Sequence, residues 1–134
     1  MSILLDTNAL IWTLNDEVEL GASARQQIEH ALRHGRLMAS AVSFWEVAML
    51  VAKKRISLSK SADRWRFEAL KLGIEEIALD GEIAVDAVQL SGLHSDPMNR
   101  FIAATAIKLQ APLVTSDARF LAWKGPLACI DARV

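Results

Sequence analysis

The chain of 134 residues has one cysteine, almost equal numbers of acidic and basic residues and no long apolar run. A single cysteine excludes an intrachain disulfide and is compatible with a reducing cytoplasm, where we expect the protein to be located. A formal net charge of −1 gives no overall attraction for nucleic acid, so any such contact must come from local basic patches. No run approaches the roughly 20 apolar residues that span a bilayer, and the amino terminus has no signal-peptide pattern, so we expect no membrane partner.

The hydrophobic content is sufficient for a real core. Just over half of the residues are hydrophobic (52%), which excludes a disordered chain. No linker, low-complexity run or internal repeat interrupts the sequence. We therefore expect residues 1–134 to form a single domain.

Short apolar strands alternate with amphipathic helices along the chain. Strands are predicted over 2–5, 37–40, 76–79, 113–115 and 128–130. Helices are predicted over 7–15, 22–34, 43–54, 81–90, 97–109 and 118–123, with one more from a cap at Ser59 or Ser61 to Leu72. This alternation predicts an α/β fold with a mainly parallel sheet and helices on both faces.

Four acidic residues lie where a predicted strand gives way to a turn or a helix, namely Asp6, Glu46, Asp96 and Asp117. The carboxyl ends of parallel strands share one edge of the sheet, so these side chains should meet in one crevice. Like charges held close together repel unless a cation joins them, and clustered oxygens suit Mg²⁺ or Mn²⁺. The pattern predicts a metal-dependent enzyme that acts on a phosphate ester.

Each acid also has a simpler explanation as a helix cap. Asp6 and Asp117 suit the N-cap position, and Asp96 precedes Pro97 as an N-cap precedes proline at the first helical position. Glu46 with Ser43 matches a capping box. The two roles are compatible, because a capping carboxylate keeps a second oxygen.

Basic residues near the predicted crevice are candidates for phosphate contacts. Arg100 adjoins the acidic turn, and Lys53, Lys54 and Arg55 follow the helix that carries Glu46. The alternative is that these residues belong to ordinary solvated surfaces. His94 precedes the acidic turn and either orients a substrate or is an ordinary loop residue.

Four blocks in this order resemble the PIN-domain family, and most closely the VapC-type ribonuclease toxins of bacterial toxin–antitoxin pairs. The blocks are Leu5-Asp6-Thr7-Asn8, Trp45-Glu46, Asp96-Pro97-Met98-Asn99-Arg100-Phe101-Ile102-Ala103-Ala104-Thr105-Ala106 and Val114-Thr115-Ser116-Asp117. The resemblance implies a PIN-like fold and a Mg²⁺- or Mn²⁺-dependent endoribonuclease. It also implies an RNA substrate, a VapB-like antitoxin that binds DNA and, commonly, a homodimer.

The resemblance also assigns roles to individual residues. Asp6, Glu46 and Asp117 match acids that hold one or two divalent ions, and the third acid of the pattern falls at Asn99. The polar neighbours that would orient the ligands and the attacking water are Thr7, Asn8, Thr115 and Ser116.

Asn99 is the departure from the family pattern. An amide oxygen can ligate a hard cation but brings no negative charge, so metal affinity and rate should both fall. Asp96, three residues earlier on the same side of the helix start, is a candidate substitute ligand. The asparagine is either natural or the product of selection or engineering against a toxic activity.

Three other functions compete with a metal-dependent ribonuclease. The first is a catalytically silent module that binds RNA or an antitoxin. The second is a phosphatase with Asp6 as nucleophile, which would need an acid where Asn8 stands. The third is a structure-specific DNA nuclease, for which the chain is short of an additional helical arch.

Overall fold

Five parallel strands form one sheet at the centre of the protein, as seen in a computed structural model that describes all 134 residues. The strands are β1 (Ile3–Leu5), β2 (Leu37–Ser40), β3 (Glu75–Ile77), β4 (Leu113–Thr115) and β5 (Cys129–Asp131). Their order across the sheet is β3-β2-β1-β4-β5, so the first strand of the chain is the central one. The predicted α/β class and parallel sheet are confirmed.

Seven helices connect the strands and cover the sheet. They are α1 (Thr7–Leu14), α2 (Ala22–Arg33), α3 (Ala41–Ala52), α4 (Ala62–Leu72), α5 (Gly81–Val88), α6 (Pro97–Leu109) and α7 (Ala118–Ala122). Each one is either too short or too polar to cross a lipid bilayer.

The core lies on both faces of the sheet because successive strand residues point to opposite sides. Ile3 and Leu5 of β1 belong to a cluster of 17 buried residues that includes residues of α1 to α4. Leu4, between them, belongs to a second cluster of 10 buried residues that includes residues of α6 and α7. The protein is therefore a three-layer sandwich of helices, sheet and helices.

Most helix starts follow the predicted capping residues, with one exception. Asp6, Ser61, Asp96 and Asp117 are the N-caps of α1, α4, α6 and α7. The capping box predicted for Ser43 and Glu46 is wrong, because α3 begins at Ala41 with Ser40 as its cap. Ser43 is instead buried and accepts a hydrogen bond from the Thr7 hydroxyl at 3.0 Å.

Strand β3 also differs from the prediction. It was expected over 76–79 but spans Glu75–Ile77, in register with Met38 to Ser40 of β2. β3 is an edge strand with one neighbour, so its limits follow from the length of β2 that it can pair with rather than from its own apolar residues.

Candidate active site

Strand pairing places Asp6 beside Thr115 at the carboxyl edge of the sheet. Leu5 is in register with Val114, and the Asp6 N–H donates to the Val114 carbonyl at 3.0 Å. Asp6 is only 5% exposed, and its Oδ1 accepts the Ala9 N–H at 2.8 Å at the start of α1. The acid is therefore buried where β1 meets β4.

The Thr115 hydroxyl joins the ends of β1 and β4. It donates a hydrogen bond to the Asp6 carboxylate and accepts the Asp117 N–H at 3.0 Å. Because Thr115 is fully buried, this arrangement is protected from water. One hydroxyl thus fixes the position of Asp6 relative to the turn that carries Asp117.

The pKa of Asp6 reports the environment of this edge. Burial raises the pKa of Asp6 from 3.8 to about 6, and the negative charges of Asp117 and Glu46 add to the rise. Hydrogen bonds from Thr115 and Ala9 oppose it. The three acids predicted from the sequence therefore lie close enough for the charges of two to act on the third.

Asp117 is covered by Arg119, two residues further along. The Arg119 Nε donates to Oδ1 at 3.1 Å, and its Nη2 donates to Oδ2 at 2.9 Å. The Arg119 backbone N–H also donates to Oδ1 at 2.8 Å, which caps α7. The side-chain hydrogen bond from Arg119 lowers the pKa of Asp117 despite partial burial of the carboxylate.

Asn99 lies between Asp117 and His94. Its Nδ2 donates to Asp117 Oδ2 at 3.2 Å and lies 2.9 Å from His94 Nε2. An amide nitrogen can only donate, so the neutral imidazole accepts at Nε2 and carries its proton on Nδ1. The structure therefore places the residue at the predicted third-acid position against Asp117.

His94 is a half-buried residue of this edge. Its Nδ1 is buried without a hydrogen-bond partner, and its ring meets Phe120 edge to face with centroids 5.5 Å apart. Burial lowers the pKa of His94, and the positive charge of Arg119 adds to this effect. The contact with Asn99 joins His94 to the acidic edge, and its role in orienting a substrate stays a prediction.

The other predicted site residues lie at different depths around the crevice. Glu46 is half-buried on α3, one turn beyond the buried Ser43 that contacts Thr7. Asn8 is exposed on the first turn of α1, and Ser116 is half-buried between Thr115 and Asp117. Thr7 and Thr115 thus make contacts that support the site, whereas Asn8 faces solvent.

Asp96 is a helix cap in this structure. Its Oδ1 accepts the backbone N–H groups of Met98 at 3.0 Å and of Asn99 at 3.4 Å. One carboxylate oxygen is therefore committed to the start of α6, and a role for the other as a ligand stays a prediction.

The interpretation of Arg100 as a phosphate contact does not fit the structure. Its guanidinium donates to three backbone carbonyls, those of Ala87 at 2.9 Å, Leu93 at 2.6 Å and His94 at 3.0 Å. These bonds fasten the segment between α5 and α6 to the first turn of α6. Three of the five N–H donors of Arg100 are engaged in this way, which favours a structural role over a phosphate contact.

Lys53, Lys54 and Arg55 are exposed and lie just after the last turn of α3. A helix rises about 1.5 Å per residue, so Lys53 lies about 10 Å along the helix axis from Glu46. The three cations are thus outside the acidic edge but within the reach of a bound polynucleotide. Their predicted contact with RNA is not tested by the fold.

Arg119 is the residue that sequence reasoning missed. In the sequence, Arg119 is marked only by its position two residues after Asp117. Other arginines near acidic residues have the same kind of sequence neighbourhood, so this position does not single out Arg119. Arg66, for example, makes an equivalent two-bond contact with Glu76 of β3.

The donor set at this edge has the chemistry that Mg²⁺ or Mn²⁺ requires. Three carboxylates and one amide oxygen are hard oxygen ligands. A divalent cation would offset the repulsion between the negative carboxylates. As the side chains stand, no three acids or histidines converge on one point, and Arg119 holds both oxygens of Asp117. The residues fit a cation by type, provided that Arg119 moves away from Asp117.

A doubly wound parallel sheet with buried and half-buried acids at its carboxyl edge defines a class of α/β proteins that bind ligands at that edge. Within this class, residues 3–125 match the PIN domain family, and the chain belongs to that family. The chain is 32% identical over 126 residues to ribonuclease VapC22 of Mycobacterium tuberculosis, which covers 93% of this chain and 94% of that protein.

Solved structures show the same fold. VapBC2 from Rickettsia felis, bound to a DNA fragment from its promoter, matches with a TM-score of 0.70 at 20% identity over 97% of this chain and 98% of that chain. A toxin–antitoxin complex from Klebsiella pneumoniae matches with a TM-score of 0.64 at 24% identity over 98% of both chains. The PIN-like fold is therefore confirmed.

Proposed function

We propose that the protein is a VapC-like toxin, a Mg²⁺- or Mn²⁺-dependent endoribonuclease whose activity is weakened or silenced by Asn99. The observation that carries this proposal is the environment of Asp6, where burial and the nearby charges of Asp117 and Glu46 raise the pKa to about 6. Full-length similarity to a protein named as a ribonuclease supports RNA as the substrate.

In this proposal Asp6, Glu46 and Asp117 hold the cation, and the Asn99 amide contributes an oxygen after rotation. A bound Mg²⁺ or Mn²⁺ would lower the pKa of a coordinated water and offset charge that develops on the phosphoryl oxygens. Thr115 keeps Asp6 in place, while the Thr7–Ser43 bond joins the starts of α1 and α3 beneath the crevice. Asn8 and Ser116 are left to orient RNA or the attacking water.

The partners follow from the same likeness. Solved structures of the fold include toxin–antitoxin complexes, which supports a VapB-like antitoxin. The exposed Trp45 (57%) next to Glu46 offers an apolar contact for such a partner at the rim of the site. A homodimer and a cytoplasmic location belong to the proposal as properties of this kind of toxin.

A silent binding module is the second candidate function. The specific observation in its favour is that Asn99 and Arg119 together satisfy the oxygens of Asp117 without a metal. Such a protein would bind RNA or an antitoxin without cleaving RNA.

The decisive experiment compares the parent protein with the Asn99→Asp variant in RNA cleavage, with Mg²⁺, with Mn²⁺ and with EDTA. We expect cation-dependent cleavage by Asn99→Asp and weak or no cleavage by the parent. A double variant, Asn99→Asp with Asp6→Asn, is the control, because it keeps the restored acid and loses the buried one. If neither the parent nor Asn99→Asp cleaves RNA with either metal, the nuclease assignment is wrong and the binding module is favoured.

A further inference from the structure

Arg119 is the positive group that neutralises the acidic edge in this structure. Its guanidinium bonds to both side-chain oxygens of Asp117, and Asn99 donates to one of them as well. The Arg119 side chain is nevertheless 56% exposed, compared with 23% for Asp117. The arginine therefore reaches in from the surface and can leave without disturbing the core.

Arg119 and a divalent cation compete for the same oxygens. Asp117 Oδ2 accepts from Arg119 and Asn99, and Oδ1 accepts from the Arg119 side chain and backbone. A carboxylate oxygen has two lone pairs, so these four bonds fill the acceptor capacity of Asp117. A cation can reach Asp117 only when the guanidinium withdraws.

A withdrawn Arg119 would remain at the entrance to the site. It is anchored in the first turn of α7, and the charge of Asp96 also acts on it. A guanidinium presents a planar fork of donors that matches a phosphate group, and once released from Asp117 this fork is free. Arg100 has no such freedom, because three carbonyls hold it.

We propose that Arg119 has two alternative partners, the Asp117 carboxylate when the site has no divalent cation and a backbone phosphate of the RNA when a cation is present. This assignment rests on the proposed function and adds a substrate-binding residue to it. RNA binding and cation binding are then positively cooperative, because the cation displaces Arg119 from Asp117 and leaves its guanidinium free to bind the phosphate.

The first test is a Mn²⁺ titration followed by electron paramagnetic resonance of the free ion, in the parent and in the Asn99→Asp background. Removal of an exposed competing ion pair with Arg119→Gln should tighten Mn²⁺ binding about two- to fivefold. Arg66→Gln is the matched control, because it breaks an equivalent two-bond pair, with Glu76, that leaves Asp117 untouched. Unchanged or weaker Mn²⁺ binding in Arg119→Gln would overturn the competition.

The second test measures binding of a fluorescent mixed-sequence single-stranded RNA by anisotropy, with gels to show that the RNA stays intact. With Mn²⁺, Arg119→Gln should bind RNA more weakly, and the magnitude of the slope of log K against log salt should fall by about 0.7, the value for one phosphate contact on a single strand. In EDTA the variant should match the parent, because Arg119 is then held by Asp117. Arg119→Lys should keep the salt slope.

The results separate the two proposals. If Asn99→Asp binds Mn²⁺ and cleaves RNA while Arg119→Gln behaves like Arg66→Gln in both titrations, only the assignment of Arg119 is wrong. If no variant binds Mn²⁺ or cleaves RNA, the proposed nuclease is wrong, and the role of Arg119 is rejected with it.

Discussion

Asn99 Nδ2 donates a hydrogen bond to Asp117 Oδ2 across 3.2 Å, so the residue at the position where we expected a third acid is bonded directly to one of the predicted acids. An aspartate at position 99 would bring two carboxylate oxygens into contact. The amide thus stabilises the edge without a cation.

The first prediction concerns the stability of Asn99→Asp. In EDTA the variant should lose about 1–3 kcal/mol of unfolding free energy, because a hydrogen bond is replaced by repulsion between like charges. Millimolar Mn²⁺ should restore it, because a ligand that binds only the folded state raises its stability. Thermal melts with and without Mn²⁺ measure both effects. Asn99→Ala, which loses the bond without adding charge, should gain less stability from Mn²⁺ than Asn99→Asp does; an equal or larger gain would contradict the explanation.

The second prediction concerns Asp6→Asn. The pKa of Asp6 is raised by folding from 3.8 to about 6, so the folded state binds this proton more tightly than the unfolded state. Keeping Asp6 ionised at pH 7.5 therefore destabilises the fold, by up to about 3 kcal/mol for a rise of this size. This destabilisation is complete above pH 6, shrinks as the pH falls and is absent below 3.8.

Asp6→Asn should therefore raise the free energy of unfolding at pH 7.5 and have little effect near pH 4, because asparagine still caps α1. Urea unfolding at several pH values measures this. Asp80→Asn is the control: Asp80 caps α5 in the same way, but it is exposed and paired with Lys108. That change should give a small loss of stability, and a gain in both variants would contradict the argument from burial.

The third prediction separates structural from RNA-binding cations. Arg100→Gln should lower the free energy of unfolding by about 2–4 kcal/mol, because three half-buried carbonyl contacts lose their charged donor. Lys54→Gln should leave stability within about 0.5 kcal/mol and weaken RNA binding at low salt. Urea unfolding and RNA anisotropy are measured on both proteins. Normal stability in Arg100→Gln would mean that the three contacts contribute little.

The fourth prediction concerns Thr115. Thr115→Val should lose about 1–3 kcal/mol of stability, because Asp6 and the Asp117 N–H both lose a buried partner. It should also raise the pKa of Asp6 further, since the hydroxyl lowers it. Carboxyl carbon chemical shifts followed by NMR over pH 4–8 measure that pKa. Thr115→Ser, which keeps the hydroxyl, should leave the pKa of Asp6 unchanged.

The parts of the fold that depend on local signals could be predicted from the sequence. Strands Leu37–Ser40 and Leu113–Thr115 and helix Pro97–Leu109 have the predicted bounds. Central strands are continuous apolar runs, and α6 starts with an Asp-Pro pair that leaves little choice of cap. The start of α3 was missed because two serines three residues apart both suit an N-cap, and the contact of Ser43 with Thr7 is made between residues distant in sequence.

The same holds for the candidate site, of which one part could be predicted from the sequence and another could not. Acids at strand ends could be located from the sequence, because topology alone brings those ends to one edge. The roles of Arg100 and Arg119 could not, since each is an arginine near an acid. Only tertiary structure shows that backbone carbonyls surround one guanidinium while the other lies against Asp117.

The central position of β1 has a consequence for how the protein is made. β1 emerges from the ribosome before the other four strands, yet one of its two neighbours, β4, is translated only after β2 and β3. Until β4 arrives, Asp6 has neither Thr115 nor Asp117 beside it. A ribosome translating this protein therefore carries a nascent chain without an assembled crevice until β4 has followed β2 and β3 out of the exit tunnel.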